Sequence, residues 1–251
     1  MVGKVNVFLP MRAGSQRIPK KNIRDFANIK GGLCKIKIEQ LLSCDYVNCI
    51  YVSTDDPEVL EISKCFNSDR IKLSIRPRCL ATSETSTDAL IKHVPEVIFE
   101  GHVLWTHVTS PFVTPHIYDE MILKYFTCLG EFDSLMSVNK IQKFLWSDEG
   151  PINYDRKQEK WPRTQTINPL WEVNSAAFLA PLEVYKRCED RIGNSPYLFE
   201  LPDEVAFDVD WLAEFRIAEI KYSSLQKLSK NNYLPFKENF NKLRDDTICS
   251  I

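Results

Sequence analysis

Short apolar runs alternate with amphipathic stretches through the first 138 residues of the chain. The runs are rich in β-branched residues and end in polar turns, which is typical of strands buried on both faces of a parallel sheet. The pattern predicts strands at 5–9, 50–52, 71–75, 102–108 and 133–138, and helices at 33–42, 57–66, 88–99 and 116–126. Regular alternation of this kind predicts an α/β fold with a mostly parallel sheet and right-handed crossovers.

The pattern changes after Val138. Residues 139–173 are polar, aromatic and interrupted by Gly and Pro, without clean periodicity. A long insertion in a compact domain usually serves a function or an interface. We interpret it as a dimerisation and substrate-covering arm that packs on a second subunit of a homodimer, within a single domain of residues 1–251. Strands are predicted again at 174–180 and 206–211 and a helix from 212, while the last thirty residues receive no role.

Composition narrows the class of protein. With 251 residues, 44% hydrophobic and 26% charged, the chain is ordinary for a soluble globular protein. A net charge of −2 gives no reason to expect a nucleic-acid or membrane partner. Neither a membrane span nor a signal peptide is evident, so a cytoplasmic location is expected. The eight Cys and four His residues show no zinc-ligand spacing, and the cysteines are predicted to be reduced.

A basic loop follows the first predicted strand. Between Arg12 and Lys37 there are eight Lys or Arg residues and one acid, Asp25. Because the loop follows a buried strand, we expect it to lie at the carboxyl edge of the sheet, where open α/β sheets bind ligands. Small residues and clustered cations favour an anion site, although a solvated basic loop is the alternative. The glycine spacings of kinase-type P-loops and dinucleotide folds are both missing.

Near the other end of the chain, two carboxylates alternate with apolar residues. Asp208 and Asp210 follow Phe207 and Val209 respectively, so strand periodicity predicts both acids on one face. Like charges this close repel unless a cation lies between them. Mg²⁺ binds carboxylate oxygens, water and substrate phosphates, which makes the doublet a candidate metal site. The alternative is that one acid merely caps the following helix.

Residues 10–22 resemble the signature loop of the sugar-acid cytidylyltransferases, the CMP-sialic acid synthetases and their relatives. In that family the first strand is followed by P-A-R-x-x-S-K-x-[IL]-P-x-K-N. The family's closing motif, [IF]-D-[IV]-D-x-x-x-[DE]-[FL]-x-x-A-E, is matched by 207–219. Further segments agree in the same order, namely 53–59, 76–87, 106–114 and 161–177. The sequence departs from the family pattern at Gln16, His107, Val113 and Ser175.

The resemblance implies a Rossmann-like, mostly parallel sheet of the nucleotide-diphospho-sugar transferase (GT-A-like) type. It also implies transfer of CMP from CTP to the anomeric hydroxyl of a nonulosonic sugar acid, with Mg²⁺ as cofactor. Catalysis is assigned to Arg12, Lys21 and Asp210, and the metal to Asp208 and Asp210. Nucleotide binding, aided by the amides of 13–17, is assigned to Arg12, Ala13, Gly14, Ser15, Gln16, Lys21, Asn22, Arg76, Ser86 and Thr87. Sugar-acid binding is assigned to His107, Thr109, Ser110, Arg163, Gln165 and Asn174, with Arg163 expected to reach the neighbouring subunit's site.

Alternatives stay open at this stage. The acceptor is either a nonulosonic acid or an octulosonic acid. Another nucleotide is disfavoured because the chain lacks the glycine-rich loop of uridylyl- and guanylyltransferases. A non-catalytic nucleotide-binding relative is suggested by Gln16 and opposed by the retained cations and carboxylates. His107 is interpreted as a substrate contact rather than a base, and three further cations as helix-start or surface residues, namely Arg17, Lys20 and Arg24.

Overall fold

A seven-stranded sheet forms the centre of the molecule in the computed structural model, which describes residues 3–230. The strands, including a small separate hairpin of β6 and β7, are β1 Val5–Met11, β2 Val47–Thr54, β3 Ile71–Ile75, β4 His102–Trp105, β5 Ser134–Ile141, β6 Trp146–Ser147, β7 Gly150–Pro151, β8 Leu170–Pro181 and β9 Pro196–Glu200. The helices are α1 Gly32–Leu42, α2 Pro57–Lys64, α3 Thr87–Val97, α4 Pro115–Cys128, α5 Leu182–Cys188 and α6 Leu212–Lys230.

The strand order is β3-β2-β1-β4-β8-β5-β9. Strand β8 runs antiparallel to β4 and β5, whereas the other neighbouring pairs are parallel. The chain leaves β1 toward β2 on one side and later returns to β4 on the other. Ligands of open α/β sheets bind outside the carboxyl ends of the strands at such a switch point. The predicted α/β class is therefore confirmed, and the topology places the candidate site between β1 and β4.

Two apolar cores explain the unbroken hydrophobic run of β1. Val7 and Leu9 are fully buried in the core against α1 and α4, while Phe8 is fully buried in the core on the opposite face. On that second face Phe8 packs against Trp105, with 4.9 Å between ring centroids. A central strand buried on both faces has no solvent side to supply polar residues.

The predicted strand at 206–211 is wrong. The segment has no strand pairing and reaches its neighbours through single hydrogen bonds, such as Val209 N–H to the Thr109 carbonyl at 2.9 Å. Val209 is fully buried between two partly exposed carboxylates. An extended chain alternates its side chains whether or not it pairs in a sheet, so periodicity alone misassigned the segment. Strand β4 likewise ends at Trp105, three residues before its predicted end.

The insertion is narrower than predicted, because both of its ends belong to the sheet. Residues 139–141 of β5 pair with 170–172 of β8. Between them, Phe144 packs edge-on against Tyr154 and Trp161, yet Trp161 remains 63% exposed. The arm's role at a dimer interface remains a prediction. Most of the last thirty residues, 231–251, lie outside the described residues.

Two further expectations concern cysteines and membranes. The seven cysteines in residues 3–230 are all free thiols. Among the helices that the structure describes, none combines the length and the apolar character needed to cross a membrane.

Candidate active site

A cleft of about 640 Å³ opens at the carboxyl ends of β1 and β4. The basic loop forms its floor, the turn between β3 and α3 forms one wall, and the end of β4 forms the other together with parts of β8 and the segment after α5. The polar side chains that line it are Arg12, Ser15, Gln16, Arg17, Lys21, Asn22, Arg76, Thr82, Thr85, Ser86, Thr87, His107, Thr109, Ser175 and Arg191. The basic loop thus borders a cavity, as the sequence predicts.

Hydrogen bonds at both ends hold the basic loop in place. Asn22 donates its side-chain amide to the Arg12 carbonyl at 3.1 Å, and Cys34 N–H donates to the Asn22 carbonyl at 2.7 Å. We expected the Ala13 amide to bind a phosphate. Instead, Ala13 N–H donates to Asp55 at 2.8 Å. Gly14, at φ 69°, is exposed and does not line the cleft.

The loop closes onto α1 at a glycine. Gly32 adopts φ 47°, and a Cβ there would lie 1.9 Å from the Arg24 carbonyl oxygen. Only a residue without a side chain permits that approach. The backbone contact therefore fixes where the loop ends relative to the helix.

The basic loop and the acid doublet meet directly. Lys21 Nζ donates to the Val209 carbonyl at 3.0 Å and lies 3.1 Å from Asp210 Oδ1. Arg17 Nη1 lies 3.0 Å from Asp210 Oδ2, and its guanidinium lies 5.1 Å from the Trp211 ring centroid. Arg17 is exposed, as its interpretation as a surface cation predicts, but it also lines the cleft, which that interpretation did not include. Lys20 instead pairs with Glu58 on the exposed surface.

The two carboxylates differ in their environment. Burial raises the pKa of Asp208, and the nearby charge of Asp210 raises it further. A hydrogen bond with Thr109 lowers this pKa but does not outweigh the other two effects. Burial also acts to raise the pKa of Asp210, but hydrogen bonds and charge from Lys21 outweigh it, with help from Arg17, so this pKa is lowered. Asp210 N–H and Trp211 N–H both donate to Glu214 in the first turn of α6. The helix start therefore fixes the doublet beside the loop.

The donor set of the doublet fits a magnesium ion. Each carboxylate oxygen offers two lone pairs, so the ion pairs of Asp210 leave acceptor capacity. Mg²⁺ is commonly held by one or two carboxylates together with water and substrate phosphates. Within residues 3–230 no group of three or more His, Cys, Asp or Glu side chains forms a metal cluster. The doublet therefore suits an ion that a bound nucleotide helps to hold, rather than a metal caged by protein alone.

The wall toward β3 carries the predicted nucleotide contacts. Arg76 is buried and donates from Nη2 to the Ser53 carbonyl at 2.8 Å. Burial lowers the pKa of its guanidinium, with a further contribution from the charge of Arg12. Ser86 caps α3 by accepting from Ala89 N–H at 3.1 Å, and Thr87 begins the helix. The N-terminus of α3 therefore borders the cleft, where a helix favours an anion.

The wall at β4 carries His107. Trp105 Nε1–H donates to His107 Nε2 at 2.8 Å, which assigns the ring proton of the neutral imidazole to Nδ1. Burial lowers the pKa of His107 to about 3, and the charges of Arg191 and Lys21 lower it as well. The side chain is therefore neutral near pH 7. This is consistent with its interpretation as a contact rather than a base.

Four predicted substrate residues do not line the cleft. Ser110 is buried, and its carbonyl accepts from Lys37 Nζ at 2.7 Å. Asn174 is buried and its side chain is bonded to Ser137 and Asn139. Two others lie on the exposed surface of the arm, Arg163 and Gln165. The geometry of one chain brings none of the four to the cavity.

Two residues of the site region, Arg191 and Lys37, were missed from the sequence, and Ser175 was noted as a departure from the family pattern without a place in the assigned site. Ser175 lines the cleft at φ 57°, a backbone region that favours glycine. The signal was present, since Ser175 replaces the family's glycine. Arg191 lines the cleft from a segment that carries no motif. Lys37 is fully buried behind the site and donates to Tyr118 at 2.8 Å, and burial lowers its pKa to about 7.

The molecule is an α/β protein with a switch-point cleft lined by a basic loop, and two cations of that loop, Lys21 and Arg17, pair with Asp210, which is not itself among the lining residues. Residues 7–159, well over half of the chain, match the sequence profile of the family described as cytidylyltransferase. The chain belongs to the cytidylyltransferase family. The predicted family and the prediction of a nucleotidyltransferase enzyme are thereby confirmed.

Individual relatives are distant in sequence. A pseudaminic acid cytidylyltransferase of Campylobacter jejuni is 23% identical over 225 residues, which cover 85% of this chain and 94% of that protein. N-acylneuraminate cytidylyltransferase B of Danio rerio is 25% identical over 237 residues, which cover 91% of this chain and 52% of that protein. The solved structure of CMP:2-keto-3-deoxy-manno-octonic acid synthetase complexed with CTP has a TM-score of 0.61 at 18% identity and covers 90% of this chain and 100% of its own. That likeness establishes the fold.

Proposed function

We propose that this protein transfers CMP from CTP to the anomeric hydroxyl of a nonulosonic, sialic acid-like sugar acid and releases pyrophosphate in a Mg²⁺-dependent reaction. The contact of Lys21 and Arg17 with Asp210 at the cleft carries the proposal, because it joins a phosphate-binding loop to a metal-binding doublet. The names of the relatives in Campylobacter jejuni and Danio rerio support a sugar acid as acceptor.

The nucleotide is bound by charge and position. Arg12 and Lys21 bind the triphosphate, with Arg17 beside them and polar contacts from the loop at Ser15 and Gln16. Cytidine lies toward Arg76 and the start of α3. Asp208 and Asp210 hold Mg²⁺, which supplies charge neutralisation at the phosphate oxygens when bound. Phosphoryl and nucleotidyl transfer need little covalent chemistry from the protein, so positioning and charge carry most of the catalysis.

The transfer forms one bond and breaks another. The anomeric oxygen of the sugar acid bonds to the α-phosphorus, and the bond from that phosphorus to the bridging oxygen breaks as pyrophosphate leaves. The hydroxyl proton passes to the carboxylate doublet. Asp210, which Lys21 and Arg17 hold ionised, is the candidate base.

A panel of acceptors tests the reaction. Purified protein, CTP and Mg²⁺ are incubated with sialic, legionaminic, pseudaminic and octulosonic acids in turn, and pyrophosphate is measured. Mass spectrometry then identifies the CMP-sugar. We expect product from a nonulosonic acid with CTP and far less with ATP, GTP or UTP. Tight CTP binding without pyrophosphate from any acid would instead support a non-catalytic nucleotide-binding relative.

The panel includes an octulosonic acid because the acceptor wall departs from the family pattern. His107 and Ser175 both line the cleft where the pattern has glutamine and glycine. A larger kcat/KM for the octulosonic acid than for every nonulosonic acid would reassign the acceptor without changing the nucleotide chemistry.

The proposal includes a homodimer that forms through the arm. Several exposed apolar side chains lie there, including Trp146 at 48%, Ile152 at 55% and Trp161 at 63%. Such a patch is typical of an interaction surface. Light scattering of the protein and of a Trp161→Lys variant tests it, and a wild-type mass equal to one chain at all concentrations would contradict it.

A further inference from the structure

Arg191 lines the cleft from the segment after α5. Its guanidinium carbon is 3.6 Å from the ring centroid of Phe178 on β8 and 5.3 Å from that of Trp105 on β4. Arg76, in the other wall, is instead hydrogen-bonded to Ser53 on β2. Because β1 lies between β2 and β4 in the sheet, the two arginines contact strands on opposite sides of β1.

In the part of the chain that the structure describes, no acid forms an ion pair with Arg191. Within residues 3–230 its side chain forms no hydrogen bond and no ion pair, whereas Arg17 and Lys21 both pair with Asp210. The neighbouring carboxylate, Asp190, accepts from the Arg191 backbone N–H at 2.6 Å. Burial lowers the pKa of the guanidinium, against the opposing effects of Tyr185 and Asp190. An arginine does not lose its proton under these conditions, so the cleft holds a partly buried positive charge that has no acid partner among the described residues.

We infer that Arg191 binds the carboxylate of the acceptor sugar acid. This inference rests on the proposed function, because it names a contact of the same reaction. The carboxylate is the fixed negative charge of the acceptor, and the triphosphate has three other cations at the loop. A planar guanidinium stacked on an aromatic ring keeps its edge free for a two-point bond to a carboxylate.

The position also explains which arginine serves the acceptor within one chain. Arg163, assigned to the sugar acid by the sequence pattern, is exposed on the arm and does not line the cleft. Arg191 lines the cleft together with His107 and Ser175, which are the residues that depart from the family pattern. The acceptor wall therefore has its own cation from a segment outside the motifs.

Steady-state kinetics of Arg191→Ala and Arg191→Lys test the inference, with Arg187→Ala as the matched control. Arg187 is an exposed arginine four residues earlier on α5. Loss of a charged hydrogen-bond pair predicts that Arg191→Ala raises the KM for the sugar acid by about 10- to 100-fold. The KM for CTP should stay within about twofold, since the triphosphate contacts remain. The KM of Arg191→Lys for the sugar acid should lie between those of wild type and Arg191→Ala, and the KM of Arg187→Ala should equal that of wild type.

Binding of each panel acid in the presence of CDP and Mg²⁺, which cannot release pyrophosphate, separates this inference from the proposed function. Calorimetry compares wild type, the Arg191 variants and Arg187→Ala, after thermal unfolding has established that each is folded. Turnover by wild type with an unchanged acid KM in Arg191→Ala would overturn the inference and leave the function standing. In another outcome, wild type binds the sugar acid but does not turn it over, and Arg191→Ala does not bind it. This result would support the inference and contradict the proposed function.

Two further outcomes also decide. A rise in the KM for CTP equal to that for the acid would overturn the inference, because Arg191 would then serve the nucleotide. Wild-type protein that neither turns over nor binds any acid of the panel would overturn both proposals.

Discussion

The two ends of the cleft handle positive charge in different ways. At the loop end, Lys21 and Arg17 each lie about one hydrogen-bond length from an oxygen of Asp210. At the acceptor end, Arg191 stacks on Phe178 and has no acid partner in the part of the chain that the structure describes. Cations that share a carboxylate suit a ligand that brings several negative charges and a metal ion. A lone guanidinium on an aromatic ring suits a ligand with a single carboxylate.

The difference also follows from where the residues come from. The loop end is built by two motifs that lie 189 residues apart and meet through Lys21 and Asp210. The acceptor end is built by side chains of β4, β8 and the segment after α5. Substitutions at the two ends should therefore affect different kinetic constants.

The largest effect is expected for Asp210→Asn. Removing this charge leaves Lys21 and Arg17 without their acid and weakens the metal site, which predicts a loss of kcat of about 1,000-fold. Pyrophosphate release with CTP and the preferred acid measures it, and thermal unfolding checks the fold. Asp203→Asn, at an exposed acid in the same connection, is the control and should retain activity. Undiminished kcat in Asp210→Asn would remove the doublet from the mechanism.

A smaller loss is expected for Lys21→Met, which keeps the length of the side chain and removes its charge. We expect kcat/KM for CTP to fall by about 100-fold, since a triphosphate contact and the bond to Asp210 are both lost. Lys20→Met is a matched control, because Lys20 pairs with Glu58 on the exposed surface. Equal effects of the two substitutions would show that the loop acts only through its net charge.

The pH dependence of stability tests the protonation state of His107 in the acceptor wall. The pKa of His107 is lowered from 6.5 to about 3. Between these values the unfolded state binds a proton that the folded state does not, so stability falls as the pH falls below about 6.5. From pH 7 to pH 5 the loss from this group is up to about 2 kcal/mol. Chemical denaturation of wild type and of His107→Gln measures it. An equal loss in both would contradict a neutral imidazole at His107 in the folded state.

The smallest effect is expected for Ser175→Gly at the acceptor end. Ser175 has φ 57°, a conformation that costs a residue with a side chain about 1 kcal/mol. The variant should therefore unfold at a slightly higher denaturant concentration, while losing a hydroxyl that lines the cleft. A changed KM for the sugar acid with an unchanged KM for CTP would place Ser175 at the acceptor end. Reduced stability would contradict strain at this position.

The sequence predicted the elements and the loop end of the site better than the acceptor end. Apolar runs predicted β1 and β2, because a strand buried on both faces has no other composition available. The loop and the doublet were predicted because charge chemistry restricts both motifs. The segment 206–211 was misassigned as a strand, since an unpaired extended chain produces the same alternation. Its two carboxylates nevertheless lie beside the loop.

Residues that depend on three-dimensional packing were not predictable. Asn174 has the family's residue type, but its side chain is bonded within the sheet at Ser137. No sequence motif surrounds Arg191. Its place in the cleft follows from packing on Phe178, a contact that only the folded structure reveals. Arg17 was dismissed as a surface cation, since nothing in its neighbours along the chain reveals that Asp210 is its partner.

The central claim is that the basic loop and the carboxylate doublet hold one magnesium nucleotide. The affinity of CTP, measured by calorimetry with and without Mg²⁺ in wild type and in Asp210→Asn, tests it most directly. Wild type should bind CTP about tenfold more tightly with Mg²⁺, and Asp210→Asn should lose most of that gain. An equal gain in both proteins would contradict the claim.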